Sequence, residues 1–487
     1  MENDRKIEDI LYCTPEEAGL PSAAVMEFLE KLREKKIPMH SVLLARYGKV
    51  FAEAYYSPWD SSRKHRMFSE TKSLVSLAIG CLEAEGKLKL DDAIVDYFPE
   101  YVPQDAHPYL AQMTIRQMLM MQSCHKSTTF KEDLSKNWVE SFFVTKPDHR
   151  AGSIFNYDTS ASHTLAALVE KLSQKKLLEY LREKFLDAIG FQKDSYIIED
   201  PFGVSMGGSG LMAYPMDLLR IGLLLLQKGE WKHKQLIPAA YLEAATSFQV
   251  PNVAKAPIRE EAQGYGYQFW RLSRDGYMMY GMGGQLLLCF PKYDLLCVTT
   301  ANTMRVSGGN QVIYDSFYET VLAALEGKRA FSDIDEESFA KYLSSLRLEA
   351  AEGRETPQEA SLLERVNGVT YRLENGNALI QRVRFDFEPE KKEGCFCFFG
   401  EKGEQKLEFA LCANKLCEFP LYRETCASSA AWIEGDSFYL TAELMGENIG
   451  GFWLQAAFLE DGITLFLNKN IEYCTGELNG FFSGYRL

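Results

Sequence analysis

The sequence predicts an α+β protein: an antiparallel β-sheet flanked by helices, with a helical lobe inserted into it, then a separate small all-β barrel or sandwich. Three observations lead there. Strand patterns occur near the start of the chain and again around residues 265–300, with helical periodicity between them. Near residue 330 the pattern changes to an acidic stretch and then to short β-rich runs. The chain has 487 residues, 46% hydrophobic and 25% charged, the balance of an ordinary globular chain long enough for two or three domains.

The elements follow in order. SVLLAR (41–46) and VFAEAYY (50–56) flank Tyr47, Gly48 and Lys49, a hairpin pattern with glycine in the turn. The stretch FSETKSLVSLAIGCLEAEGKLKLDD (68–92) opens polar and is strongly apolar from Leu74 to Leu82. Leu165, Leu168, Val169 and Leu172 fall on one helix face; LLRIGLLLLQKG and PAAYLEAATSF also read as helices. GYQFWRLS, a turn at Asp275-Gly276, YMMYGMGGQLLLCF, PKYD and LLCVTT read as a meander ending near Thr300. The early and late strands are therefore expected to share one sheet. The domains expected are 1–330, with the lobe at about 69–250; an acidic helical linker, 331–360; and a β domain, 361–487. In the last, VTYRLE, RVRFDFE, CFCFFG, LEFALC, FYLTAEL, GFWLQAAFL and ITLFLN alternate with turns, and Val383, Phe385 and Phe387 mark one face. It carries no catalytic constellation. It reads as a structural or oligomerisation module, through which the chain would form a homo-oligomer, or as a cover for an active site.

Composition excludes several classes. A formal charge of -15 argues against nucleic acid or an anionic membrane as partner. LLRIGLLLLQ (218–227) is too short to span a bilayer and contains Arg220. MENDRKIEDI has no apolar core that could serve as a secretion signal. The eleven cysteines lack paired spacing, so neither a disulfide framework nor a zinc site is expected. They read as reduced core residues of a cytoplasmic protein. His40, His65, His107, His125, His149 and His163 show no metal-ligand spacing. No metal or organic cofactor is expected.

The chemistry turns on a serine and a lysine. Ser-x-x-Lys occurs at Ser61/Lys64, Ser69/Lys72, Ser123/Lys126, Ser173/Lys176 and Ser338/Lys341, so the pattern alone selects nothing. Ser69 differs in opening an apolar helix. Unpaired N–H groups and the positive dipole end would meet an oxyanion formed by attack of Ser69. Lys72, one turn on, shares its helix face, and a buried lysine can act as a base. The bland reading is a capping serine beside a snorkelling lysine. A rival nucleophile, Ser205, sits in Gly-Val-Ser-Met-Gly (203–207). That pattern serves as a nucleophile elbow only between a strand and a helix, whereas Pro201 and the run Gly208-Ser209-Gly210 make it a loop.

Over about residues 14–303 the chain resembles the serine hydrolases related to class C β-lactamases, which include penicillin-binding proteins, esterases and amide hydrolases. TPEEAGLPSAAV, SVLLARYGKVFAEAYY, FSETKSLVSLAIG, EGKLKLDDAIVDYFPEY, MTIRQMLMMQS, FNYDTSASHTLAALVEKL, GGSGLMAYPMDLLRIGLLLLQKGEW, GYGYQFW and GMGGQLLLCFPKYDLLCV follow that family's order and spacing. The resemblance implies the β-lactamase/transpeptidase-like fold and an acyl-enzyme mechanism on a small ester or amide. It makes Ser69 the nucleophile, Lys72 its base partner and Tyr157, in Tyr-Asp-Thr, a proton shuttle whose acidity Lys72 raises. Thr159 replaces the usual Asn. The third motif, Lys-Thr-Gly or His-x-Gly on an inner strand, falls on Met282-Gly283-Gly284, with the N–H of Gln285 as second oxyanion donor. Met282 cannot pair with a carboxylate, so weak or no β-lactam hydrolysis is expected. The alternative, from another class, is a non-catalytic ligand-binding protein that retains the pocket.

Overall fold

The computed structural model describes residues 10–256, 258–470 and 478–487. The stretch MENDRKIEDI therefore lies, up to residue 9, outside the described residues. The chain forms two compact units. The first runs through Tyr55 and resumes over Ser61–Leu346; the second comprises Tyr56–Asp60 and Arg347–Leu487.

A seven-stranded sheet organises the first unit. Its spatial order is Leu11–Tyr12, Lys49–Tyr55, Met39–Arg46, Leu295–Ala301, Gln285–Phe290, Tyr277–Gly281 and Trp270–Arg271. The two ends of the unit meet at its centre: Leu295 lies opposite Arg46 and Thr300 opposite Ser41, antiparallel. The side chains of that last pair share a 2.6 Å hydrogen bond. Only the outermost pair, Leu11–Tyr12 with Lys49–Tyr55, is parallel. The inner strands are nearly continuous apolar runs because helices cover them. Gln285–Phe290 and Leu295–Ala301 are buried at every position.

The helical lobe is inserted between the early and late strands. Glu70–Ala84 is buried over its first thirteen residues, as an all-round apolar helix must be. Thr159–Ser173 packs beside it, starting from an Asp158 cap and ending at Gln174 with φ 58°, a left-handed C-terminal stop. Pro215–Leu226, the most apolar run, is a buried helix with proline at its first turn. Ala239–Thr246 is shorter than the apolar stretch around it.

Between the two predicted domains the structure is more definite than a linker. Only Glu336–Ser345 of the acidic stretch is helical, capped by Asp335, and it belongs to the first unit. Residues 353–360 are pinned within the second: Arg354 and Trp432 exchange backbone hydrogen bonds of 2.8 and 2.9 Å. The Asp436 carboxylate accepts from the amides of Gln358 and Glu359. A helix at Ala360–Val366, missed in the sequence, follows.

The second unit is a closed barrel. Nine strands run in the order Gly403–Leu411, Glu393–Gly400, Arg382–Glu388, Thr370–Leu373, Gly480–Arg486, Gly462–Lys469, Gly450–Phe458, Phe438–Leu444 and Glu424–Trp432. A parallel pairing of Ala410 with Ser429 and Leu411 with Ala430 joins the last to the first. Closure removes the sheet edges. A tenth strand, Lys415–Phe419, pairs antiparallel with Glu424–Trp432. The alternation at Val383, Phe385 and Phe387 points inward as predicted, onto Trp432, Phe438 and Phe409.

Candidate active site

Ser69 is delivered by a strained entry. Phe68, wholly buried, has φ 46°, a conformation that costs a non-glycine residue about 1–3 kcal/mol and persists only where surroundings impose it. The surroundings here are a small sheet. Met67 donates its N–H to Leu211 O (2.9 Å), and Phe68 bridges to Gly210. Thr71 Oγ1 donates to Phe68 O (2.6 Å) while accepting from Leu211 N (3.0 Å). The turn leaves Ser69 at the head of the Glu70–Ala84 helix, with its hydroxyl unused as a cap.

That hydroxyl is engaged instead by Lys72. The lysine is 1% exposed, and its Nζ donates to Ser69 Oγ at 2.9 Å and to Gly208 O at 2.6 Å. The same Nζ lies 4.9 Å from the ring centre of Tyr157. At the other four Ser-x-x-Lys positions the members look elsewhere. Lys64 bonds Asp194, Ser123 bonds Asp158, Lys176 bonds Glu199 and the Ser338 hydroxyl donates to the capping Asp335.

Tyr157 comes from the segment that enters the Thr159–Ser173 helix. Ser69 and Trp270 are the polar neighbours of its phenol. Burial pushes that phenol well above its ordinary value; the hydrogen bond from Ser69 draws it back, the Glu261 carboxylate raises it, and Trp270 draws it back. The acidity expected from the sequence is thus reversed, because desolvating a phenolate outweighs its hydrogen bonds. Thr159 begins the helix, its amide donating to Thr128 Oγ1 at 3.2 Å. Its methyl reaches Gly208: a Cβ there would fall 2.2 Å from Thr159 Cγ2 and 3.6 Å from Lys72 Nζ. Ser69, Lys72, Tyr157 and Thr159 are therefore brought together.

The third motif requires a correction. Met282, Gly283 and Gly284 are the turn between Tyr277–Gly281 and Gln285–Phe290, not part of a strand. Gln285 pairs with Gly281 and is wholly buried. Its strand is flanked on both sides, and its side chain braces the turn, donating to Met282 O and accepting from Ala301 N (2.9 Å). The backbone that abuts the turn leading into Ser69 is that of Gly281, where a Cβ would stand 2.3 Å from Met67 O. Tyr277–Gly281 pairs with Trp270–Arg271 only at Tyr277 and Met278. Beyond them that strand edge is without a strand partner among the described residues. The signal lay in the sequence: in YMMYGMGGQLLLCF the glycine closing the first strand precedes the Gly-Gly of the turn.

An aromatic wall completes the surroundings. Trp270 lies 5.4 Å from Tyr157, 5.2 Å from Tyr265 and 5.1 Å from Tyr280, ring centre to ring centre. Ser205, the rival nucleophile, sits in a loop and gives its hydroxyl to Glu170 (2.5 Å). His163 and Asp200 form a buried pair at 3.0 Å, and His125 bonds Phe142 O at 2.9 Å. Among the described residues no group of three or more His, Cys, Asp or Glu is disposed to hold a metal ion. No helix there is long and apolar enough to cross a membrane.

A helical lobe beside an antiparallel sheet, with Ser69 and Lys72 at their junction, is the architecture of β-lactamases and penicillin-binding proteins. The β-lactamase family model matches residues 24–320, and the chain belongs to that family of hydrolases. A solved penicillin-binding protein homologue from Caulobacter crescentus superposes with a TM-score of 0.50 at 16% identity, over 65% of this chain and all of that one. Protein flp of Staphylococcus aureus is 24% identical over 199 residues, 37% of this chain and 40% of its own length. The 6-aminohexanoate-dimer hydrolase of Paenarthrobacter ureafaciens is 23% identical over 221 residues, 42% of this chain and 55% of its own length.

Proposed function

We propose that this protein is a serine hydrolase that cleaves a small ester or amide through a covalent acyl-enzyme on Ser69. The observation that carries the reading is the 2.9 Å bond from Lys72 Nζ to Ser69 Oγ at the head of a buried helix. An ammonium donating to Oγ lowers the cost of forming an alkoxide there. Tyr157, whose phenol neighbours the same hydroxyl, relays the proton to the leaving group and later takes one from water.

The oxyanion would sit between the amide of Ser69 and a second amide at the start of the turn that follows the strand Tyr277–Gly281. Met282, directly after Gly281, supplies that amide in place of Gln285. Such a donor is worth about 2.7–4 kcal/mol in the transition state. Neither Met282 nor the Met278-Met279-Tyr280 stretch carries a cation. The grip on a substrate carboxylate is therefore missing, and a charge-assisted hydrogen bond contributes about 1.5–3 kcal/mol. Neutral short-chain aryl esters should outpace penicillin or nitrocefin by about ten- to a hundredfold. Intact-mass analysis after a fluorophosphonate, followed by kinetics on one ester and one β-lactam, tests the reading. A single adduct on wild type and none on Ser69→Ala is expected. Absence of both labelling and turnover would instead indicate a binding protein that has kept the pocket.

A further inference from the structure

The barrel unit holds two close pairs of thiols, although the ten described cysteines are all free. Cys417 and Cys426 face each other across the pairing of the tenth strand with Glu424–Trp432, their sulfurs 3.4 Å apart. Cys395 and Cys397 are two residues apart on one strand, with sulfurs 3.6 Å apart. The sulfur distances are nearly equal, but the backbones are not equivalent. Residues directly opposite in an antiparallel pair have Cα atoms about 4.5–5.5 Å apart, inside the range of about 4.4–6.8 Å that a disulfide spans. Residues i and i+2 on one strand are about 6.6–6.8 Å apart, at its outer limit.

We propose that Cys417 and Cys426 are an oxidative modification site, closing a cross-strand disulfide when a hydroperoxide reaches Cys417. Access favours this order. Cys417 is partly exposed and lines a hollow of about 360 Å³ with Glu404, Lys406, Glu408 and Arg423, a polar recess suited to a small hydrophilic oxidant. Its thiol donates to Glu408 O at 3.3 Å. Cys426 is wholly buried in the barrel core, where the hydrogen bond with Cys417 and burial hold its proton on.

The chemistry balances. The Cys417 thiol gives up its proton as its sulfur attacks one peroxide oxygen; the O–O bond breaks, the departing hydroxide takes that proton and leaves as water, and Cys417 becomes a sulfenic acid. The Cys426 sulfur then attacks that sulfur, the S–O bond breaks and a second water leaves. Two thiols give up two electrons and two hydrogens, and one hydrogen peroxide becomes two waters.

Cys397 is the competing target. Its hydrogen bond from Cys395 lowers its thiol below the ordinary value, and the Arg384 guanidinium lies 3.6 Å from its sulfur. It should take up oxygen without closing a ring. The test treats the full chain, folded and reduced, with graded hydrogen peroxide. It is then alkylated in denaturant, digested without reductant and mapped by mass. The expected product is one cross-linked peptide pair joining Cys417 to Cys426. It should vanish with reductant and in Cys417→Ser, and persist in Cys395→Ser and Cys397→Ser. Cys417 and Cys426 both alkylated at doses that oxidise Cys397, or Cys417 linked to any other cysteine, overturns the proposal.

Discussion

Lys72 bonds Ser69 and lies against the ring of Tyr157, and if the three act as one proton-transfer unit their removal should behave as such. Lys72→Ala and Tyr157→Phe are each expected to lower ester turnover by about a hundredfold or more. The double variant should lose little beyond the worse single, because members of one proton-transfer unit are non-additive. Two losses that multiply cleanly in a steady-state comparison would separate the roles. Glu261 invites a different test. Its Oε1 accepts from Tyr314 (3.1 Å) and Asn310 (3.2 Å), while Oε2 is buried without a partner. Burial pushes its carboxyl up from 4.5 to about 7. The native state thus holds this proton more tightly than the unfolded chain, and its contribution to stability is lost as pH rises from 4.5 to 7. At 1.36 kcal/mol per tenfold change in proton affinity that loss is about 3 kcal/mol. Glu261→Gln, which keeps an acceptor but cannot ionise, should therefore be more stable than wild type at pH 8 by up to about 3 kcal/mol. The advantage should vanish near pH 4, as denaturant midpoints at the two pH values would reveal.

Among the elements, the strand Tyr277–Gly281 bears on the site because its last residue abuts the turn into Ser69. A methyl at Gly281 would overlap Met67 O, a backbone atom that cannot swing aside. Gly281→Ala should cost about 1–3 kcal/mol by overpacking. It should reduce kcat by a larger factor than that destabilisation explains, since it displaces the nucleophile and the oxyanion edge together. Thermal midpoint and kcat measured on the same preparation separate the two effects; a stable, fully active variant would place the oxyanion edge elsewhere. The Glu70–Ala84 helix illustrates a related constraint. Glu70, directly after Ser69, is buried, and burial pushes its carboxyl well above its ordinary value.

Among the described residues, one large hydrophobic core spreads through the sheet and helices of the first unit and another lies inside the barrel. Trp432, wholly buried, packs in tilted and edge-on contacts against Phe387, Phe438 and Phe458. Trp432→Ala should cost about 3–5 kcal/mol and fall entirely on the barrel. Scanning calorimetry is expected to show two transitions, of which the variant lowers one and leaves the other in place. A single transition that moves as a whole would mean that the units unfold as one.

Periodicity was enough to read most of this architecture: the hairpin at 41–56, the meander ending near Thr300, their union in one sheet, and seven of the barrel strands. Each is dictated by which residues must leave water, which sequence order records directly. The strands Lys415–Phe419, Glu424–Trp432 and Gly480–Arg486 escaped because their patterns are short or dominated by small residues such as Ala427, Ser428, Ser429, Ala430 and Ala431. In the site, Ser69 and Lys72 were legible because a helix places residues three apart on one face. Their link to Tyr157 came from family resemblance. What tertiary structure alone decided lies where distant backbone segments touch. Gly281, not the Gly-Gly pair after it, lies against Met67, and Gln285 is drawn into the sheet. The Tyr157 phenol is held up by burial, and Cys417 stands opposite Cys426. Contact across such separations depends on register and packing, and no local pattern encodes either.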